Sequence, residues 1–512
     1  MIPLFLVGAI LLLGLSIAQV LSTVQVYLSN LDYYNFLSSV QAAGYLAVPN
    51  EIVFSTLKDF GPAFCGGLFF TFTAGAGLTL IAAGAAWAWD RLFSRGKTAL
   101  SLFCLLLLLS LVGANIRGLS PLLFAYLLCI PTAVFSFTLK WLPERPRDER
   151  SVDMALPLLA FLVCCVLVLA WRPSLVNEDR FLYLRDSLLL SNPLGRKLNA
   201  FYYENTLYAT RVFNFPRQQL IKSCRIVGSS DSSLRKRITE ALLSRDYLPF
   251  RNPVRPDVSI LQSDKDLEFY DGDKRVLKTT VGDFLRDPAK TLKQVETITS
   301  RQSFLLGFFT LFSILFVGAL LLYACVYVPA YWLSGLFLRS TPKAIKAAIL
   351  WPVILLAVFL ALSAVPSEEP GNPVQLTRAL ASEHLHSRMA ALRYIARNGI
   401  DIARFPSYQK RVHSPHVAER YWVAKALGIS RTPETLRSLR QLLADPHFNV
   451  VCMALDSLGR RGGRGDIPLL LDKLKTSANG YVQGYAYRAL RRLGWKQTEP
   501  AENSRVGDPF GQ

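Results

Sequence analysis

The histidines are the side chains here best suited to metal binding or proton transfer, and all five lie within residues 384–447. His384 and His386 are two positions apart, so on a helix they would diverge instead of sharing a metal ion. His416 and His447 occupy equivalent places in two similar segments, which repeat ancestry explains. We therefore predict no metal site.

The acidic and cysteine side chains form no clear catalytic arrangement. The polar segment 172–303 has no histidine, and its single thiol, Cys224, has no obvious base, so neither Ser/His/Asp nor Cys/His chemistry can be assembled there. Asp32, Glu51 and Asp59 are the acids that a membrane-embedded glycosyl or lipid transferase would use. The eight cysteines show neither CxxCH nor zinc spacing. We predict no catalytic residue and no cofactor.

Composition divides the chain between lipid and water. Of 512 residues, 51% are hydrophobic and 18% charged, which is too apolar for one soluble protein and too charged for a wholly lipid-embedded one. Apolar runs long enough to cross about 30 Å of hydrocarbon predict seven spans in a mostly α, polytopic membrane bundle. The runs are residues 2–21, 63–89, 99–115, 119–139, 152–171, 304–326 and 348–365.

The loops between the spans predict their orientation, because Lys and Arg concentrate on the cytoplasmic side. The loops after the second, fourth and sixth spans carry three, four and three basic residues, whereas those after the first and third carry only Lys58 and Arg117. The N-terminus is then cytoplasmic, and the 172–303 insert and the C-terminus are extracytoplasmic. The chain has no Asn-x-Ser/Thr sequon, which favours a bacterial inner membrane.

The second span carries a small residue at every fourth position. The series is Ala63, Gly67, Thr71, Gly75, Thr79 and Ala83. Such a seam lets another helix backbone approach closely, so we predict that its last five members pack against a neighbouring span. A bound lipid or quinone is the alternative use of the groove. The spans carry no ionisable residue at depth, which argues against an ion-coupled carrier.

The insert predicts a small α+β domain. A helix over residues 195–213 has an aromatic face of Phe201, Tyr202 and Tyr208 suited to a bilayer interface. Further along, the pattern predicts a strand, a helix, a second strand and a hairpin that turns at Asp271-Gly272. A last helix leads towards the sixth span.

Two C-terminal segments, SPHVAERYWVAKALG and DPHFNVVCMALDSLG, align without gaps. We expect Ser414 and Asp445 to be helix N-caps, and Gly428 and Gly459 to end the helices with positive φ. A shorter leucine-rich helix follows each segment, and a weaker earlier unit and a third long helix flank the pair.

This pattern resembles the short HEAT-like repeats of phycobilin lyases and of many bacterial scaffold proteins, over residues 385–495. The resemblance implies an α-solenoid with a curved protein-binding surface. Its pattern often has Arg eight or nine residues before the closing Gly. Arg420 matches, but Val451 and Ala486 replace the Arg in later units, so lyase activity is not implied.

These features predict the domain order. It is a membrane bundle over 1–171 and 304–365, an extracytoplasmic α+β insert over 172–303, a linker over 366–384, repeats over 385–495 and a disordered tail over 496–512.

The favoured function is an inner-membrane scaffold whose extracytoplasmic repeats bind a protein partner through Arg437 and Arg440. Basic side chains outnumber acidic ones by 23 to 16 in residues 172–303 and by 22 to 13 in residues 366–512. Such balances favour anionic partners, and we expect the lipid bilayer and a protein instead of nucleic acid. A transport or export component and a membrane-embedded transferase are the alternatives.

Overall fold

The computed structural model describes residues 4–115, 121–142, 182, 185–211, 219–228, 232–249, 256–263, 265–299, 333 and 372–500. The chain divides into two compact units. The first holds Met1–Val26, Ala63–Arg185 and Ser303–Pro366, and the second holds Tyr27–Pro62, Asp186–Gln302 and Ser367–Gln512. Residues 27–62, the insert from Asp186 onward and the C-terminal repeats therefore share the second unit.

Four helices in the described residues are long and apolar enough to cross a membrane. They are Gly8–Ala42, Phe60–Arg91, Lys97–Asn115 and Pro121–Trp141. They correspond to the first four predicted spans. The spans predicted at 152–171, 304–326 and 348–365 lie outside the described residues.

The first helix is much longer than its predicted span. It runs over Leu4–Ala42, 39 residues, where the apolar pattern predicted residues 2–21 followed by a loop. The loop prediction was wrong because residues 22–42 contain no Pro or Gly, the residues that interrupt helices most strongly. The chain leaves the helix just before Gly44, whose φ is 81°.

The described part of the insert contains a π-helical turn, Arg185–Leu190, and the helix Pro193–Arg211. A five-stranded mixed sheet follows, in the order β2-β1-β3-β4-β5. Its strands are β1 (Lys222–Val227), β2 (Tyr247–Pro249), β3 (Val258–Ser263), β4 (Asp266–Asp271) and β5 (Lys274–Thr280). β1 pairs in parallel with β2 and β3, and the other pairs are antiparallel. β2 was not predicted, because its three residues are too few to show an alternating pattern.

Three helices pack on the sheet and form its core. They are Ser232–Leu243, Val281–Arg286 and Pro288–Thr299. Ile260 and Phe269 from the sheet are completely buried together with Leu242 and Phe284 from the helices. The predicted hairpin turn is present, and Gly272 there has a φ of 59°, a conformation that glycine adopts without strain.

The C-terminal region is a stack of helix pairs after a leading helix, Pro373–Ala381. The long helices are Leu385–Arg397, Val417–Leu427, Phe448–Arg461 and Gly480–Arg492, and each packs on the next. The shorter helices between them are Tyr408–Val412, Pro433–Gln441 and Ile467–Thr476. We call the surface of the long helices the inner face and that of the shorter helices the outer face.

The predicted N-caps were two residues early. The long helices are capped by His416 and His447, and Ser414 and Asp445 instead form turns before them. Ser414 Oγ accepts from the His416 backbone N–H at 3.2 Å, and Asp445 Oδ1 accepts from that of His447 at 2.8 Å. Such local side-chain bonds compete with the first helical turn and delay its start.

The prediction that Gly428 and Gly459 end their helices with positive φ was also wrong. Gly428 has a φ of −64° at its helix end, and Gly459 lies inside Phe448–Arg461. A Cβ on Gly428 would lie 2.6 Å from Ser457 Cβ, and one on Gly459 would lie 2.7 Å from Ala489 Cα. Both glycines therefore allow neighbouring long helices to approach closely. Their conformations do not require glycine.

Candidate functional site

Ion pairs connect consecutive units of the stack. Arg388 binds Glu419 through two hydrogen bonds, from Nε at 2.6 Å and from Nη2 at 3.1 Å, and both side chains are buried. One unit further, Arg420 Nε and Nη2 donate to Asp445 at 2.5 and 3.0 Å. Such bidentate pairs fix both distance and orientation, so they set the register of one unit against the next.

The equivalent side chain in the last unit is Gln483, whereas the sequence alignment chose Ala486. Arg388 Nη1 and Arg420 Nη1 donate to the carbonyl oxygens of Ser382 and Ser414, six residues earlier. Gln483 Nε2 makes the same bond to the Ser477 oxygen at 2.6 Å. The alignment failed because it counted back from the closing glycine, and Gly494 lies 15 residues after the N-cap Asn479, whereas Gly428 lies 12 residues after the N-cap His416.

The inner face binds the loop that follows the first helix. Gln483 Oε1 accepts from the Asn50 backbone N–H at 2.7 Å, and its Nε2 donates to Asn50 Oδ1 at 2.8 Å. Asn50 Nδ2 donates in turn to the carbonyl oxygens of Leu474 and Lys475. All four N–H donors of the two side-chain amides are used in hydrogen bonds, so this contact fixes the loop specifically on the last unit.

The insert occupies the same face at a second point. Asp246, in a left-handed turn with φ of 64°, accepts from Tyr487 Oη at 2.5 Å and from Arg491 Nε at 3.1 Å. Burial raises the pKa of Asp246 above its usual range, while the hydrogen bond from Tyr487 and the charge of Arg491 act in the opposite direction. The two partners thus offset part of the cost of burying the carboxylate.

Asp186 and Tyr203 of the insert contact the other long helices of the inner face. Asp186 is buried and accepts from Trp422 Nε1 at 2.6 Å and from Arg393 Nη2 at 2.9 Å. Further along, the ring of Tyr203 contacts the rings of Phe448 and Tyr481, with centroids 5.2 and 5.0 Å apart. Segments of the same chain therefore contact all four long helices.

The helical pairs and the close approach of their long helices are the geometry of a known repeat class. Residues 408–491 match the family model for HEAT repeats. This part of the chain is a HEAT-repeat stack. No curated protein and no solved structure matches the chain. In the structure, the stack extends beyond the match, because the helix Leu385–Arg397 packs on Val417–Leu427.

The two arginines predicted to bind a partner have different surroundings in the HEAT stack. Arg437 is exposed on the outer face. Arg440 is half exposed, but its Nε donates to Asp466 Oδ1 at 2.7 Å, and Asp466 caps the turn before the next short helix through Gly463 N–H. Arg440 thus connects two repeats, and Arg437 is the freer of the two for an external contact.

The acids considered for catalysis do not lie in a shared cleft. Asp32, Glu51 and Asp59 are all exposed, and Glu51 accepts a hydrogen bond from Gln41 at 2.9 Å. Within the described residues, no three His, Cys, Asp or Glu side chains cluster closely enough to hold a metal ion. A cleft of about 380 Å³ lies between two HEAT repeats, but the arginine and the aspartate that line it pair with each other.

The small-residue seam of the second span lies against the first helix. A Cβ on Gly67 would lie 3.0 Å from the Thr23 backbone nitrogen, and one on Gly75 would lie 2.5 Å from Ala18 Cβ. Thr79 is buried, and Ala83 packs against a cluster of apolar side chains that includes Ala18 of the first helix. Thr71 begins a π-helical turn, Thr71–Gly75, within the seam.

A polar cluster beside the seam was missed. Thr71 Oγ1 donates to Gln19 Oε1 at 2.8 Å, and Gln19 Nε2 donates to Thr23 Oγ1 and to the Phe64 oxygen. The cluster depends on the neutral amide of Gln19, which a pattern of ionisable residues does not include. Hydrogen bonds of this kind stabilise helix association within lipid, where the hydrophobic effect does not bring helices together.

Proposed function

We propose that the protein is an integral inner-membrane scaffold with extracytoplasmic HEAT repeats, which bind a protein partner through their outer face. The observation that carries this proposal is the occupation of the inner face by the chain's own loop and insert. HEAT repeats generally bind proteins through extended surfaces. Because the loop and the insert of the same chain already bind to the inner face, the outer face is the surface available to another protein.

The segments that share the second compact unit support the seven-span topology. Asn50 bonds to Gln483, and Asp246 bonds to Tyr487, so all these residues must lie on one side of the membrane. An even number of spans must then separate the first loop from the insert. Three candidate spans are described there, which supports a further one at the predicted 152–171. The basic loops favour the extracytoplasmic side for the whole unit.

We expect topology reporters to distinguish the two sides. Fusions after Lys97, Arg150 and Lys346 should report a cytoplasmic location, and fusions near Ser230 and after Pro500 an external one. Alkaline phosphatase and green fluorescent protein activities provide complementary readouts. Opposite locations for the last two fusions would contradict the span count, and a cytoplasmic location for both would reverse the proposed orientation.

The outer face favours a polar partner. Among residues 372–500 the only large apolar side chain that is exposed is Val374, which lies before the first repeat. Binding must therefore depend on charged and polar side chains, and the excess of basic residues in this region suits an acidic protein surface. Arg437 lies in the middle of the helix Pro433–Gln441, where an approaching partner can reach it.

Arg437→Glu should weaken partner binding about tenfold or more, because it reverses a charge that helps to bind an acidic surface. The measurement is the dissociation constant of the captured partner from full-length protein in nanodiscs, at low and high ionic strength. The weakening should shrink at high salt. Glu434→Gln, on the same exposed helix, is the matched control and should leave binding unchanged or tighten it.

Full function of Arg437→Glu in a deletion strain, together with unchanged partner affinity, would contradict the proposed outer-face site. Arg440→Glu should also reduce binding, but with a loss of thermal stability, because Arg440 pairs with Asp466. The stability measurement therefore separates a contact residue from a structural one.

A further inference from the structure

The helix Pro193–Arg211 has apolar residues on two opposite sides. On one side, Tyr203 packs against the inner face of the HEAT stack. On the other side, four side chains form what we call the outer stripe. They are Leu194, Leu198, Phe201 and Tyr202, which are 69, 56, 45 and 51% exposed. Their spacing of three and four residues places them on one helical surface.

The outer stripe is unusual within this unit. Among its described residues, no other helix exposes more than one large apolar side chain. Isolated exposed apolar residues are ordinary on protein surfaces, but a contiguous group marks a surface that binds something apolar. The helix is already held on its other side by the HEAT repeats, so the stripe is not needed to dock it.

The composition of the helix fits the boundary between lipid headgroups and acyl chains. Phe201 and Tyr202 belong to the residue types enriched there, and a tyrosine hydroxyl can remain hydrated while its ring is in lipid. Lys197 is exposed at the edge of the stripe, where its aliphatic stem can cover apolar surface and its ammonium can reach phosphate. The helix belongs to a chain with candidate membrane spans, so a bilayer is available for it to bind.

The size of the stripe argues against a second protein copy. Four half-exposed side chains present on the order of 400 Å², whereas a stable protein interface buries about 800 Å² on each partner. A bilayer has no such minimum area, since each inserted side chain adds its own transfer free energy. We propose that the helix Pro193–Arg211 lies on the membrane surface, with the outer stripe inserted at the headgroup boundary.

The test uses the full chain in nanodiscs of phosphatidylcholine and phosphatidylglycerol. A genetically encoded nitroxide amino acid replaces Leu198 in one sample and Glu204 in another, and collision rates with oxygen and with a water-soluble nickel chelate are measured. Both native side chains are exposed on the same helix, so both labels should leave the fold intact. The label at 198 should collide several-fold more with oxygen and several-fold less with nickel than the label at 204.

Equal and high nickel accessibility at both positions would overturn the proposal, since the stripe would then face water. Dipolar spectroscopy on the 198 sample provides the second readout. A sharp short distance between labels on two copies would assign the stripe to self-association and would also overturn it. Neither measurement depends on the HEAT-repeat partner, so this proposal and the scaffold function can fail separately.

Discussion

Replacing Glu419 with Ala is expected to destabilise the HEAT stack by about 3–5 kcal/mol, because it leaves a buried arginine without its counter-ion. Glu419 is completely buried and accepts two hydrogen bonds from Arg388, and a third from Ser414 Oγ at 2.5 Å. Arg388 is itself buried, so after the substitution its guanidinium charge cannot be hydrated without opening the stack.

Hydrogen exchange of the full chain measures this effect at the helices concerned. Amides of Leu385–Arg397 and Val417–Leu427 should lose about a hundredfold or more of their protection, since each 1.4 kcal/mol is a factor of ten. Glu434→Ala, at an exposed position, is the control and should change protection little. Adding Arg388→Met to Glu419→Ala should recover much of the loss. If these amides exchange no faster in Glu419→Ala than in Glu434→Ala, the pair of Arg388 and Glu419 does not stabilise the stack.

The repeats illustrate what local sequence reveals. Their period, the Pro shortly before the helices Val417–Leu427 and Phe448–Arg461 and the alternation of long and short helices were sufficient to predict the HEAT class, because each follows from neighbouring residues. The ion pairs between units were not predicted. Arg388 and Glu419 are 31 residues apart, and many other pairings of charged side chains are compatible with the same helices.

The docking of loop and insert on the inner face could not be found from the sequence. Asn50 and Gln483 are 433 residues apart, and Asp246 and Tyr487 are 241 apart. Amides, tyrosines and aspartates at such positions are usually solvated, and no periodicity sets them apart. The prediction therefore placed the loop in the membrane bundle and the insert and the repeats in two further domains, whereas the loop, the repeats and the insert from Asp186 onward lie in one compact unit.

In the membrane region, the spacing of small residues predicted a packing surface but not its partner. The four-residue period determines which side chains share a helical face, and this is a local property. Contact with the first helix depends on residues such as Ala18 and Gln19, which have no distinctive pattern around them. The length of that helix was also missed, since polar residues after the span were taken for a loop.

Gly75→Leu should prevent normal assembly of the helix bundle. A Cβ at this position already lies 2.5 Å from Ala18 Cβ and 2.8 Å from Tyr126 Oη, so a larger side chain requires the helices to separate. Overpacking usually costs about 1–3 kcal/mol and sometimes more, and the cost is highest where the neighbour cannot rotate away. Ala18 has no side-chain torsion with which to move, so we expect a large loss of folded protein.

Gly84 provides the matched control, because it lies in the same candidate span, Phe60–Arg91, and a Cβ there meets no atom within 4 Å. Gly84→Leu should retain the yield and melting temperature of the parent in detergent, while Gly75→Leu loses both. The milder Gly75→Ala should lower the melting temperature, and Ala18→Gly added to it should restore most of the decrease, because the second change removes the atom that the new methyl group meets. Because Tyr126 Oη ends a flexible side chain, its contact can relax. A rescue that fails, or equal melting temperatures for Gly75→Ala and Gly84→Ala, would show that this glycine does not hold the two helices together.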